Sequence, residues 1–250
     1  MTERRYPAIV IDHESLRHNV KTICDWCEDT GIFVAGVIKG ANGILSVAED
    51  YVAGGAKMIA SSRMEQLKRC REGNIGVPLL MIRVPMLSEL DELVQVADCS
   101  LNSELVTLRA LDKAAEAHGV VHNVVLMADL GDLRKATSTT MSWWKPQNPW
   151  NGTAPPPPDG NRNQSGCYGS VMATEDKMQE LADLAIRVEK SIGRELEIVS
   201  GGATSSLMGV FGGYMPEKIN MLRIWRGRSG GIAGGHAGLL RIFGNGCIAR

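Results

Sequence analysis

The regular spacing of short apolar runs is the sequence feature that most restricts the fold of this chain. Runs rich in β-branched and other apolar residues begin at Phe33, Lys57, Pro78, Cys99 and Asn123, at intervals of 21 to 24 residues. Amphipathic segments separate them, as in alternating strand and helix units. This short repeat predicts an α/β fold, a closed (β/α)8 TIM-type barrel, with an open doubly wound parallel sheet as the alternative.

Local sequence signals place the individual elements. The predicted strands are residues 8–12, 33–39, 57–61, 78–84, 99–101, 123–129, 195–200 and 220–224. The predicted helices are residues 15–28, 46–53, 63–72, 88–97, 103–118 and 174–190. Ser15 and Thr174 are predicted to cap helix N-termini, and Gly31, Gly54, Gly73 and Gly119 to end helices.

Composition excludes several classes of protein. A length of 250 residues with 44% hydrophobic residues is enough for one large core. The net charge of −1, without a basic block, argues against a nucleic-acid partner. No run of about 18 apolar residues and no leader at Met1 is visible, so we expect a cytoplasmic protein without a membrane partner. Six scattered cysteines favour a reducing compartment.

The segment Cys24-Asp-Trp-Cys27 has the spacing of a redox motif or of half a zinc site. No second pair of cysteines or histidines completes such a site, and the segment lies in a predicted helix. We therefore interpret both cysteines as helix-packing residues and predict no metal site, with metal or redox chemistry as the alternative.

Lys39 is the most informative candidate functional residue. It ends the apolar run 33–39 and is followed by the flexible segment Gly40-Ala-Asn-Gly43. Barrel enzymes carry their chemistry at the carboxyl ends of their strands, where a partly desolvated amine can act as a nucleophile. Its simplest role is a Schiff base with a carbonyl cofactor, and the alternative is a solvated lysine that happens to end a strand.

Five motifs in order resemble the alanine-racemase-type, fold-type III pyridoxal-phosphate enzymes, and ornithine-racemase-like members in particular. The motifs are Tyr6-Pro-Ala-Ile-Val-Ile-Asp12, Val37-Ile-Lys39, Ala128-Asp-Leu-Gly-Asp-Leu-Arg134, Gly166-Cys-Tyr-Gly169 and Ser200-Gly-Gly-Ala-Thr-Ser-Ser206. The resemblance implies pyridoxal 5'-phosphate as cofactor and an amino-acid racemase that removes the Cα proton of its substrate. It also implies a homodimer in the intact family form.

The same resemblance assigns roles to single residues. It implies that Lys39 binds the cofactor covalently and later acts as a base, and that Arg134 contacts the phenolic oxygen of the cofactor. It implies that Arg223 faces the pyridine nitrogen and that Tyr168 lines the pocket. Phosphate contacts would come from the backbone of residues 200–206, a loop that begins at Ser200, with the hydroxyls of Thr204, Ser205 and Ser206. The alternatives are surface or core ion pairs for the arginines, aromatic packing for Tyr168 and an ordinary turn for the loop.

Two segments depart from the pattern of the rest of the chain. Residues 133–158 contain no acidic residue, three tryptophans and six of the ten prolines, and residues 226–250 contain eight glycines and no acidic residue. We hypothesise that both are translated out of frame; the alternative is a genuine disordered insertion and a flexible tail. We assign residues 1–225 to a barrel domain with an anomalous insert at 133–165, and no structure to residues 226–250.

These departures limit the functional prediction. The sixth barrel strand should fall within the insert, so we expect an incomplete barrel there. The resemblance implies a β-rich C-terminal domain that includes strand 8–12 and supplies a second base, usually a tyrosine, and no tyrosine follows Ile224. A single-domain pyridoxal-phosphate carrier and an inactive racemase fragment remain alternatives. The substrate is not readable. Asp129 and Asp132 are candidates for contact with a distal amine, and the alternative is that both are solvated loop residues.

Overall fold

The computed structural model describes residues 9–128, 172–225 and 247–249. Within these ranges the strands are Ile9–Ile11 (β1), Phe33–Val37 (β2), Met58–Ser61 (β3), Leu79–Met81 (β4), Cys99–Asn102 (β5), Asn123–Leu126 (β6), Ser200–Ala203 (β7), Met221–Ile224 (β8) and Cys247–Ala249 (β9). The α-helices are His13–Glu28 (α1), Leu45–Ala53 (α2), Met64–Glu72 (α3), Leu90–Val96 (α4), Leu105–His118 (α5), Glu175–Ile192 (α6) and Leu207–Phe211 (α7).

Strands β2 to β8 form one parallel sheet in the order β6-β5-β4-β3-β2-β8-β7. The pairing of β2 with β8 joins the first strand of the series to the last, with Ala35 opposite Arg223. This cyclic order is that of a barrel, whereas a doubly wound sheet reverses its strand order at a switch point. The predicted TIM-type fold is therefore confirmed, as a curled, partial barrel.

The sheet has two edges within the described residues, and they are β6 and β7. β6 and β7 follow one another among the described strands, and a closed eight-stranded barrel would place one more strand between them. The insert 133–165, in which the sixth strand is predicted, lies within residues 129–171, outside the described ranges. The out-of-frame hypothesis for the insert and the tail stays a prediction.

Alternation along the strands separates two apolar layers. Ala35 and Val37 of β2 belong with Met221 of β8 to the cluster inside the barrel. Val34 and Leu222 belong to the outer cluster, which packs the sheet against the helices. A third cluster joins α6 to the region of β7. One face of each strand therefore points to the barrel interior, where functional side chains can converge.

Two local predictions need correction. The N-cap of α1 is Asp12 rather than Ser15, because the Asp12 carboxylate accepts a hydrogen bond of 3.0 Å from the Ser15 amide. The seventh barrel strand begins at Ser200, where the sequence places its end. The amide of Val199 instead donates to the side chain of Asn220 at 2.8 Å, so Val199 stands just outside the regular ladder.

Strand β1 lies outside the barrel sheet and pairs antiparallel with β9, with Ile9 opposite Ala249. Strand β9 belongs to the segment for which the sequence indicates no structure. The predicted elements 8–12 and 33–39 thus belong to different sheets. The assignment of strand 8–12 to a β-rich C-terminal domain stays a prediction. No helix within the described ranges combines the length and the apolar character needed to cross a membrane.

Cys24 and Cys27 lie in helix α1, as predicted, and both are buried. Burial raises the pKa of the Cys24 thiol to about 11 and that of the Cys27 thiol to about 12. Thiols that resist deprotonation are poor nucleophiles and poor metal ligands, so both act as packing residues.

Candidate active site at the carboxyl ends of the strands

Lys39 lies two residues beyond the end of β2, in a short 3₁₀ turn, Lys39–Ala41. Its Nζ atom is 5.2 Å from the centroid of the Trp225 ring, which packs against the cluster inside the barrel. Lys39 is half-buried. The amine therefore stands at the carboxyl end of the first barrel strand, near the apolar interior.

The loop after Lys39 is fixed to helix α3. Asn42 and Gly43 have φ values of 52° and 65°, in the left-handed region that favours glycine and asparagine. A Cβ atom on Gly43 would lie 2.6 Å from Cβ of Gln66. Gln66 donates to the Asn42 side chain at 3.2 Å, and Arg69 donates to the Asn42 carbonyl at 3.2 Å. These contacts hold the backbone that carries the lysine.

Arg223 lies on β8 with only 4% of its surface exposed. Its Nη1 donates to the Ser200 hydroxyl on the neighbouring strand β7 at 3.3 Å. Burial lowers the pKa of the guanidinium to about 10, so it remains charged at neutral pH. A buried cation with several N–H donors is suited to bind an electron-rich group inside the barrel.

The predicted phosphate loop divides into a strand and a turn. Ser200 is buried on β7, and residues Thr204–Ser206 form a 3₁₀ turn directly after the strand. Thr204 Oγ1 accepts a hydrogen bond of 3.1 Å from the backbone amide of Trp225. Ser205 is exposed, whereas Ser206 is fully buried. Thr204 and Ser205 therefore stand closest to the surface of this end of the barrel.

A cavity of about 100 Å³ opens between β6 and β7. Apolar residues dominate its lining, including Leu101 and Met127, and Ser200 and Arg223 contribute polar atoms. Arg223 thus borders a space beside the two sheet edges. Trp225 follows Arg223 by two residues at the end of β8, and its ring contacts the Lys39 amine.

Four residues singled out in the sequence lie outside the described ranges: Asp129, Asp132, Arg134 and Tyr168. Their assigned roles stay predictions. Among the described residues, the structure brings Lys39 and Thr204 together through Trp225, and Arg223 together with Ser200.

Sequence reasoning missed Trp225 and Gln66. Trp225 follows Arg223 by two residues, so strand alternation alone could have placed both side chains on the inner face. Gln66 gave no such signal, because its contact with Asn42 joins residues 24 positions apart.

The fold and the site together define the class of this protein. It is an α/β protein with a partial barrel, and its candidate site contains a lysine at the carboxyl end of the first barrel strand. Within that class, this chain belongs to the family described as alanine racemase, N-terminal domain, whose family model matches residues 11–135, half of the chain. The strands β2 to β6 and Lys39 lie inside the matched range.

Two curated relatives are similar over most of the chain. Ornithine racemase from Acetoanaerobium sticklandii is 34% identical over 88% of this chain, and lysine racemase from Thermotoga maritima is 30% identical over 88%. The chain spans 62% and 61% of their respective lengths. The crystal structure of D-threonine aldolase from Filomicrobium marinum superposes with a TM-score of 0.65 at 18% identity, over 88% of this chain and 62% of the aldolase, which supports the fold.

Proposed function

We propose that this chain forms the pyridoxal-phosphate-binding barrel of an amino-acid racemase. The observation that carries the proposal is Lys39, which places an amine at the carboxyl end of the first barrel strand of a chain in the alanine racemase family. Its similarity to an ornithine racemase and a lysine racemase supports racemisation as the reaction.

The polar groups of the site fit pyridoxal 5'-phosphate. Lys39 supplies the amine that would condense with the aldehyde of the cofactor and release water. Arg223 supplies a buried cation for the ring nitrogen. Thr204 and Ser205 supply hydroxyls and backbone amides beside a strand end, the kind of group that binds a phosphate dianion. Amine, guanidinium and hydroxyl donors thus correspond to the three polar ends of the cofactor.

When bound, the cofactor supplies an electron sink that makes the Cα proton of an attached amino acid acidic. Lys39 would accept that proton at Nζ on one face of Cα, and in the reverse direction of the reaction it would donate a proton to the same face. Arg223 would keep the ring nitrogen unprotonated, because a permanently charged donor disfavours a second positive charge beside it. This favours return of the proton to Cα. A second base, for the opposite face of Cα, is implied by the resemblance.

We propose an amino acid with a distal amine as the substrate. Ornithine and lysine, which appear in the names of the two relatives, both have this group. Asp129 and Asp132 stay the sequence-based candidates for its recognition, since a carboxylate is the usual partner of an ammonium.

An absorbance titration tests the cofactor site. We expect the protein to develop a band at about 420 nm with pyridoxal 5'-phosphate, as a protonated imine between this cofactor and a lysine does. Borohydride should fix the adduct on Lys39, which peptide mass spectrometry can locate. Lys39→Ala should lose the band, whereas Lys113→Ala, an exposed lysine on α5, should retain it. Reduction onto another lysine would contradict the assignment.

A chiral assay with ornithine, lysine and alanine separates a racemase from a cofactor carrier. A racemase should form the opposite enantiomer of at least one amino acid in a Lys39-dependent manner. A Lys39-dependent band without enantiomer formation would favour the single-domain carrier. Loss of the carboxylate or cleavage of the side chain would indicate another reaction of this cofactor.

A further inference from the structure

The indole ring of Trp225 stands over the amine of Lys39. The distance of 5.2 Å from Nζ to the ring centroid is within the range in which a lysine ammonium is attracted to an aromatic face. Tryptophan gives the strongest such contact among the aromatic side chains. The contact joins the strand end of β8 to the turn that follows β2.

Three further contacts support the ring in this position. The Trp225 amide donates to Thr204 Oγ1, which fixes the backbone at the end of β8. The ring packs against the apolar cluster inside the barrel. Gly40 leaves the space that the ring fills, because a Cβ atom there would lie 3.1 Å from Cε3 of the indole. The position of the ring is therefore set by its own backbone hydrogen bond, by the apolar cluster inside the barrel and by the loop that contains Gly40.

We propose that Trp225 caps Lys39 and controls the access of aldehydes to its amine. The relevance of the cap to the cofactor rests on the proposed function, whereas its effect on the amine does not. The ring acts in two ways. It covers one side of Nζ, and its face stabilises the ammonium form, which has no lone pair for attack on a carbonyl.

The chemistry that the cap restricts is a condensation. The ammonium first loses a proton to solvent, and the neutral amine then adds to the aldehyde carbon. Water leaves as the C=N bond forms, and no electrons are gained or lost. Removing the ring exposes the amine and removes its attraction for the charged form, so the first two steps become easier.

Competitive labelling tests the cap without the cofactor. The protein is treated with limiting formaldehyde and cyanoborohydride at constant pH, and methylation at Lys39 is measured against Lys113 by peptide mass spectrometry. We expect Trp225→Gly to raise this ratio by at least about two- to fivefold, the factor that corresponds to an exposed cation–π contact. Trp225→Phe should stay near the wild type, and Trp225→Leu should lie between, because it keeps apolar bulk without an aromatic face.

Trp26→Phe is the matched control, since Trp26 lies on α1 and contacts Phe211 rather than Lys39. It should leave the labelling ratio unchanged. An unchanged ratio in Trp225→Gly, or a lower one, would overturn the proposal. The Phe and Leu variants keep the test valid if the glycine variant is poorly folded. If Trp225→Leu and Trp225→Phe both show the labelling ratio of the wild type, the aromatic face has no role and the proposal is overturned.

A second arm measures the rate of the 420 nm band with pyridoxal 5'-phosphate and with pyridoxal, which lacks the phosphate. We expect Trp225→Gly to accelerate the band with both aldehydes by a similar factor. Slower formation in Trp225→Gly would mean that the ring assists binding and would overturn the cap. If no variant forms a Lys39-dependent band while the labelling ratio rises, the proposed cofactor site is wrong and the cap on the amine stands.

Discussion

His122 is a buried imidazole that the candidate site does not use. Its Nδ1 lies 3.0 Å from the Ala97 carbonyl and its Nε2 lies 2.8 Å from the Ser100 hydroxyl. Because a carbonyl only accepts, Nδ1 carries the proton and Nε2 accepts from Ser100. Burial lowers the pKa of His122 to about 4. The ring is therefore neutral in the folded protein at pH values where it is protonated in the unfolded chain.

This pKa shift predicts acid sensitivity. Between pH 6.5 and pH 4 the unfolded chain binds more protons than the folded one, so the free energy of unfolding falls as the pH falls. From pH 7.5 to pH 5 we expect His122 to account for a loss of about 2 kcal/mol, measured by urea denaturation. His122→Gln should lose much less stability over this interval, whatever its stability at pH 7.5. His118→Gln, an exposed control at the end of α5, should behave like the wild type.

Gln66 is one of two α3 residues, with Arg69, that bond to the loop after Lys39. Gln66→Ala removes its bond to Asn42 and leaves the buried Ser61 hydroxyl without its acceptor on Gln66. We expect a loss of about 1 to 3 kcal/mol in the free energy of unfolding, together with faster hydrogen exchange of the amides of residues 41–43. Gln95→Ala is the control, since Gln95 is exposed on α4. Unchanged exchange in Gln66→Ala would show that the turn holds its own conformation.

At the scale of elements, helix α2 approaches β2 closely at Gly36. A Cβ atom on Gly36 would lie 2.4 Å from Cδ1 of Tyr51, whose side chain is buried. We expect Gly36→Ala to destabilise the protein by about 1 to 3 kcal/mol through overpacking. Gly76→Ala is the matched control, because no atom lies within 4 Å of its Cβ position. Similar urea midpoints for both variants would mean that Tyr51 moves without cost.

Element boundaries were predictable where one residue decides them. Helices α2, α3 and α5 end directly before their C-cap residues Gly54, Gly73 and Gly119, as the sequence indicates. The predicted position of β7 was too early in the chain. Ile198 and Val199 have high strand propensity, whereas Gly201 and Gly202 have little. Pairing of β7 with β8 overrides that propensity. Such pairing between distant segments cannot be read from a local window.

At the scale of the molecule, the edge strand β6 offers a test of barrel closure. The amides of Asn123 and Met127 donate to the β5 side, so alternation directs those of Val124 and Leu126 away from β5. If β6 is an open edge in solution, nuclear magnetic resonance should show faster hydrogen exchange at Val124 and Leu126 than at Val125. Equal protection at all three would mean that another segment pairs with β6 and completes the barrel.

The barrel itself was predictable because its repeat is local: each strand and helix pair has its own apolar pattern. The position of Lys39 followed from the same pattern. The surroundings of that lysine did not, since Trp225 reaches it from the last barrel strand and Gln66 fixes its loop from a separate helix. Contacts of this kind depend on the pairing of β2 with β8 and on the packing of α3, which join segments far apart in the sequence.

The buried thiols can be used to measure local unfolding of this protein. Cys24 and Cys27 lie in α1, Cys70 in α3 and Cys99 in β5, and all four are buried. A thiol reagent can modify them only when the surrounding structure opens, so mass spectrometry of each cysteine over time measures the opening of three separate elements in one experiment. Modification of Cys24 and Cys27 before Cys99 would show that α1 detaches while β5 is still held in the sheet.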